Sequence, residues 1–181
     1  MILKEETHLL NGKTVTLRSA RQDEAQMLID YLKTVSCETR FLLCEPDEIK
    51  FTIEDEEKYI NEHNKSKKAL LMLAFVDGEY AGNCSFEVRN VSQRQSHRAE
   101  IGIALYQKFT GLGIGKLMLT RLLEEMKHCG LEQAELSVYG NNEIGLHLYE
   151  SLGFTECGRI PNAAKYSDGT YDDEILMTLK L

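Results

Sequence analysis

No run of this chain stays apolar for the ~20 residues that a membrane-spanning helix requires, so no bilayer crossing is expected. The first residues, MILKEETHLLNGK, offer neither a long apolar segment nor a small-residue cleavage site, and no secretion signal is expected there. Cysteine pairs at metal-ligand spacing are missing as well. Cys37, Cys44, Cys84, Cys129 and Cys157 are scattered and odd in number, and none stands C-x-x-C from another. That argues against a disulfide framework and a zinc site; the expectation is a reduced cytoplasmic compartment and no metal. Basic excess is also lacking. A formal net charge of −8 argues against nucleic acid as a partner, since such binding neutralises phosphates with lysine and arginine. The same acidity suits a cationic substrate drawn in by the protein's field, although it serves solubility equally well. There is no repeat, linker or low-complexity segment. The 181 residues, 43% hydrophobic and 28% charged, read as a single domain 1–181 with a full core.

What is present is organised around residues 100–125, EIGIALYQKFTGLGIGKLMLTRLLEE. Ile101, Ile103 and Leu105 alternate with Glu100, Gly102 and Ala104, the period of a strand. Gly111, Gly113 and Gly115 follow, and then Ile114, Leu117, Met118, Leu122 and Met126 recur along one helical face. A helix that opens directly after a strand presents unpaired N–H groups and a partial positive charge at its first turn. Glycines remove the side chains that would hold a phosphate away from those donors. The stretch reads as a phosphate or pyrophosphate cradle.

It is not a P-loop, because Thr110 stands at the first glycine position and Leu117 where the metal-binding hydroxyl belongs. Nor is it a dinucleotide fingerprint, whose third glycine would fall on Lys116. A second stretch, ELSVYGNNEIGLHLYESLGF at 135–154, reads as a strand and then Asn-x6-Tyr-x-x-x-Gly-Phe on a helix, with Asn142, Tyr149, Gly153 and Phe154 in those places. The two motifs together, in this order and spacing, resemble the GNAT N-acetyltransferases. Their loop is written Q/R-x-x-G-x-G/A; here it is Thr110, Gly113 and Gly115, without the leading Gln or Arg.

The resemblance covers nearly the whole chain. Residues 14–18 read as a first strand, 18–34 as a helix capped by Ser19 or Asp23, and 35–50 as irregular, with Pro46 as breaker. Thr52 to Asp55 is a capping box opening a second helix to about Asn64, and the acidic run 54–57 reads most simply as its dipole-matched first turn on a solvated face, with a cation site as the minority reading. A buried strand at 69–76, a hairpin at Asp77-Gly78 and a strand at 80–89 come next, then a looser turn at 90–97. After the long helix, Gly130 is its C-cap; strands at 134–139, 155–165 and 171–179 surround the Asn142 helix. The fold class expected is α/β (α+β): the GNAT acyl-CoA N-acyltransferase fold, a mixed, mostly antiparallel sheet of about seven strands flanked by four helices.

The resemblance further implies acetyl-CoA as co-substrate. It would be held by Ile103, Ala104 and Leu105 of the central strand, by Thr110, Gly111, Leu112, Gly113, Ile114, Gly115 and Lys116 of the loop, and by Asn142 and Tyr149. Asn142 would bond the pantetheine arm, Tyr149 would protonate the leaving thiolate, and the backbone N–H of Leu105 would meet the oxyanion. Asn142 and Tyr149 lie seven residues apart, which is two helical turns on one face. A phenol of pKa ~10 gives its proton to a thiolate of pKa ~8.5 only uphill. Tyr149 therefore needs either a depressed pKa or a hydrogen-bonding role.

The acceptor amine needs a base, because exposing the lone pair of an alkylamine at neutral pH costs about 4.6 kcal/mol. Glu100 is the candidate, with Glu87 second, and pairing of Glu100 with Arg98 or another surface cation as the plain alternative. His97 reads as a surface residue, and Gly145 and Leu146 as packing. Cys84 and Cys129 belong to no Cys/His arrangement, so no acyl-enzyme is expected. The function implied is acetyl transfer to a primary amine of a small molecule or protein N-terminus; a non-catalytic acyl-CoA-binding sensor or interaction module is the alternative. The final strand, with Met177 and Leu179 alternating against Thr178 and Lys180, is expected to be an open edge through which a homodimer forms.

Overall fold

The computed structural model describes residues 1–88 and 92–181. The end of the expected 80–89 strand at Arg89, and Asn90 and Val91 of the turn after it, lie outside the described residues. One sheet of eight strands runs in the order β1-β2-β3-β4-β5-β6-β8-β7. Its members are β1 Glu6–Leu10, β2 Lys13–Ser19, β3 Ala69–Val76, β4 Glu79–Glu87, β5 Arg98–Leu105, β6 Gln133–Tyr139, β7 Thr155–Lys165 and β8 Tyr171–Lys180. The helices are α1 Ala25–Glu38, α2 Ile53–Lys65, α3 Ile114–His128 and α4 Glu143–Ser151.

The strand the sequence reading lacked is β1. Asn11 and Gly12 sit at φ 51° and 78° and close a tight hairpin between β1 and β2. Asp77 and Gly78, at φ 50° and 86°, do the same between β3 and β4, as expected. The helix read as starting at Arg18 starts at Ala25. Arg18 and Ser19 remain in β2, because the Arg18 guanidinium pairs with Glu24 (Nη1–Oε2 2.8 Å) and the Ser19 hydroxyl accepts the Leu3 N–H at 2.8 Å. Neither Ser19 nor Asp23 caps α1, which runs four residues past Thr34 to Glu38. In α2 the capping box is formed: the Asp55 N–H donates to the Thr52 hydroxyl, and the Thr52 N–H to the Asp55 carboxylate.

β3 is buried on both faces, which is why its sequence is a continuous apolar run. Leu71 and Leu73 face Leu28, Tyr31 and Val35 of α1 and Ile60 of α2. Leu70 and Met72 face the other way, into the core that holds Met118, Leu122 and Met126 of α3. The sheet thus has α1 and α2 on one side and α3 and α4 on the other.

β8 is not an edge. It lies between β6 and β7, pairing Met177 with Leu136 on one side and with Glu156 on the other, and Met177 is 2% exposed. The outer strand at that end is β7, broken by register shifts at Glu156/Gly158 and Ile160/Ala164, as edge strands often are. The final strand therefore lends no open edge to a homodimer.

Candidate active site

β5 and β6 are the one parallel pair in the sheet, and they stay paired over only three residues, from Arg98↔Gln133 to Glu100↔Glu135. Beyond that they part. β6 takes β8 as its neighbour along its length, and β5 keeps β4. The cleft that opens has a volume of about 970 Å³ and is lined by Ile103, Ala104, Asn142, Tyr149 and Glu100, all expected at the site. Residues 110–116 are not part of that lining; they form the loop leading into α3.

The polar edge of β5 follows from the alternation of a strand. Tyr106 donates its N–H to the Ala81 carbonyl at 2.9 Å, which turns Ala104 and Gly102 toward β4. Ile103 and Leu105 accordingly direct their N–H and C=O groups into the gap, where β6 has left. Gly82 makes this possible, and the sequence reading passed over it. It sits at φ 148°, and a Cβ there would run into the Ala104 carbonyl and lie 2.8 Å from Leu105 Cα. With no side chain at 82, β4 draws β5 close to itself and away from β6.

The loop before α3 is a cradle of free donors. Gly111 and Gly113 have φ of 73° and 83°, and a Cβ at Gly111 would meet nothing within 4 Å. The first intrahelical bond of α3 is Leu117 N–H to Gly113 carbonyl, at 3.1 Å, so the N–H groups of Ile114, Gly115 and Lys116 have no helical partner. The Asn11 amide donates to the Leu112 carbonyl at 3.2 Å and ties the loop to the first hairpin. Thr110, at the position of the missing Gln or Arg, has its own donors engaged within the loop. Its N–H (3.1 Å) and its hydroxyl (2.7 Å) both donate to the Gln107 carbonyl. Gly115 serves packing: a Cβ there would be 3.3 Å from the Leu148 side chain.

Asn142 is the N-cap of α4 rather than an interior helical residue. Its Oδ1 accepts the Gly145 N–H at 3.0 Å, and a Cβ on Gly145 would lie 2.8 Å from its Nδ2. Gly145 is thus the platform over which the Asn142 side chain folds. At the other end, Gly153 (φ 93°) reverses the chain: its N–H donates to Glu150 and the Phe154 N–H to Tyr149, the double bond of a Schellman cap. Phe154 then lies edge-on to the Tyr149 ring at 6.0 Å. Each motif residue has a structural task that aims Tyr149 at the cleft.

Tyr149 is buried, and burial pushes its phenol up to about 12. A depressed pKa, one of the two options the sequence left, is not what this environment produces. Glu100 lies on the strand face of Gly102 and Ala104, and the neighbouring Arg98 sends its Nη1 to Glu135 Oε1 at 2.9 Å. Glu87 and His97 do not line the cleft, and neither do any of the five cysteines, all free thiols. Cys84 is buried under α3 on the opposite face, its thiol pushed up by burial, and Cys129 meets Met1 at 3.4 Å.

Two further groups line the cleft. One is the α1 and 41–43 wall with Tyr31, Phe41 and Leu43; the other is Glu56, with Tyr59, on α2. No periodicity marks them, because α2 reads as a solvated acidic helix and the 41–51 segment has no repeat. Among the described residues, no cluster of metal-ligating side chains occurs, and no helix is long and apolar enough to cross a membrane.

The sequence model of the acetyltransferase (GNAT) family matches residues 28–154. YwnH of Bacillus subtilis (strain 168), which carries the provisional name of a phosphinothricin acetyltransferase, is 26% identical over 163 residues, 90% of this chain and 97% of its own. A crystal structure of a GNAT-family acetyltransferase from Streptococcus pneumoniae superposes with a TM-score of 0.87 at 27% identity, covering 92% of this chain and 99% of that one. The fold is shared too with yncA of Salmonella typhimurium, solved with acetyl-CoA (TM-score 0.81, 18% identity, 92% and 94% covered). A parted β5/β6 pair, a donor-rich loop opening α3, a capped tyrosine helix and the family match lead to one assignment: the chain belongs to the GNAT family and is an acyl-CoA-dependent N-acetyltransferase.

Proposed function

We propose that the cleft transfers the acetyl group of acetyl-CoA directly to a primary amine of a small molecule or protein N-terminus, with a cationic acceptor favoured. The observation that carries this reading is the gap between β5 and β6, bordered by unpaired strand groups on one side and Tyr149 on the other. The N–H groups of 111–116 hold the pyrophosphate, and the pantetheine arm lies along Ile103, Ala104 and Leu105. Acetyl-CoA supplies the thioester carbonyl; the amine lone pair forms the new C–N bond, and the C–S bond breaks to release the thiolate.

The chain's own residues manage charge and protons. The Leu105 N–H meets the oxyanion. Glu100 takes the amine's proton, directly or through water. Complete proton transfer from a phenol near 12 to a thiolate of pKa ~8.5 is uphill by roughly 5 kcal/mol, so Tyr149 acts by donating a hydrogen bond to the sulfur. No cysteine lines the cleft, in keeping with transfer that skips an acyl-enzyme. A cytoplasmic setting suits five free thiols. A homodimer must use a surface other than β8; light scattering tests it, and a mass held near 20.6 kDa on dilution contradicts it.

The function is tested by thiol release from acetyl-CoA across a panel of amines, with the products identified by mass spectrometry. Release that requires an amine and yields its N-acetyl derivative is the expected result. Tight acetyl-CoA binding with no release on any amine would leave a sensor or interaction module instead.

A further inference from the structure

The side of the cleft facing α1 and α2 is far from neutral. The charged residues lining the cleft as a whole are Asp55 and Glu56 of α2, Glu100 of β5 and Glu174 of β8, and among the described residues no lysine, arginine or histidine lines it. Asp55 is committed to the Thr52 capping box. The Glu56 carboxylate, half-buried one helical turn before Tyr59, makes no ion pair or hydrogen bond among the described residues. Burial already pushes its carboxyl above the ordinary range. A neighbouring ammonium group would offset that desolvation.

A second polar atom waits on the same wall. The Tyr31 hydroxyl is buried, lies beside the Asn83 backbone without closing a hydrogen bond to it, and has no other partner among the described residues. Its residue is 2% exposed and lines the cleft. Buried hydroxyls are normally satisfied, so an orphan at a cleft wall marks a place for a ligand atom. The mouth, in contrast, is apolar. Leu43 is 87% exposed and Phe51 49%, with Phe41 and Tyr59 beside them in the lining. A floor of Ser85, Gly102 and Ala104 leaves room between the walls.

We propose that this wall is an acceptor subsite selecting a small primary amine with an apolar body and no carboxylate beside the nitrogen, its ammonium group received by Glu56. The inference rests on the acetyltransferase reading above and narrows it. A free amino acid would bring its carboxylate beside that of Glu56, with no described lysine, arginine or histidine in the lining to meet it. A peptide N-terminus would carry amide groups through an apolar mouth, leaving them without partners. An arylalkyl or alkyl amine meets neither obstacle: its charge finds Glu56 and its body packs on Phe41, Leu43 and Phe51.

The experiment compares phenethylamine, L-phenylalanine and an alanine-initiated pentapeptide as acceptors, by thiol release at saturating acetyl-CoA. The expected kcat/KM for phenethylamine exceeds that for phenylalanine and for the peptide at least tenfold. Glu56→Gln, nearly isosteric, should raise the KM for phenethylamine tenfold or more while leaving the KM for acetyl-CoA unchanged. Tyr31→Phe, which keeps the ring, should also raise the amine KM. Equal or better use of phenylalanine or the peptide overturns the subsite while leaving the acetyltransferase standing. Unaltered amine kinetics in both variants overturn it as well. No release with any acceptor contradicts this inference together with the reading beneath it.

Discussion

Phe154 holds Tyr149 by two independent contacts: its backbone N–H donates to the Tyr149 carbonyl at 3.1 Å, and its ring lies edge-on to the phenol at 6.0 Å. The first contact ends α4 and the second fixes the ring that faces the cleft. The phenol's environment is apolar, which keeps it neutral far above the pH of the cell. Tyr149→Phe removes only the hydroxyl. Turnover should fall about 10²-fold, as for other single donors to developing charge, while the KM for acetyl-CoA stays nearly constant. Because burial raises this pKa, loss of the Tyr149 proton gives kcat no descending limb below about pH 10. A drop of less than about threefold would make Tyr149 a packing residue.

Asn142 has a double assignment that one pair of variants separates. Asn142→Ala loses the cap on the Gly145 N–H and should cost about 1 kcal/mol of stability by chemical denaturation. Asn142→Asp keeps an oxygen for the cap but replaces the amide donor. It should leave stability within a few tenths of a kcal/mol yet raise the KM for acetyl-CoA, if the amide bonds the pantetheine. An unchanged KM in the aspartate variant reduces Asn142 to its cap.

Gly82 is expected to tolerate nothing larger. Gly82→Ala places a methyl group against the Ala104 carbonyl in a backbone conformation foreign to L-residues. Either the fold loses more than about 2 kcal/mol or β5 shifts and closes on β6. Melting temperature or acetyl-CoA affinity should therefore fall; a variant that matches the parent in both would show that the close approach is not needed.

The cradle is best tested with ligand fragments rather than mutants. Gly113 sits at φ 83°, so Gly113→Val would strain the backbone whatever it did to a phosphate. CoA should raise the melting temperature, whereas pantetheine, which lacks the pyrophosphate, should do so far less at equal concentration. Equal shifts would place the binding energy elsewhere than the loop.

Much of this was legible beforehand because it is written in short-range chemistry. The glycine loop, the Asn142–Phe154 spacing and the Thr52 capping box each depend on residues within a few positions of one another, and all stand where the sequence places them. What escaped depends on distant pairs. Thr110 has the right position for the cradle, but a neighbouring carbonyl at Gln107 takes both its donors. Gly82 matters only because Ala104 comes alongside it. β8 looked like an edge because no local signal says that β7 will lie outside it. Arg18 was read into a helix; Glu24, six residues on, keeps its side chain at the end of β2. Glu56 and Tyr31 face a cleft that exists only once α1 and α2 are laid on the sheet.

A crystal structure with acetyl-CoA tests the account most directly. The account predicts the pantetheine arm between β5 and β6, the pyrophosphate on the N–H groups of 111–116, the thioester oxygen within ~3 Å of the Leu105 N–H, and the sulfur next to the Tyr149 hydroxyl. An acetyl-CoA seated elsewhere, or a thioester turned away from both Leu105 and Tyr149, would contradict it.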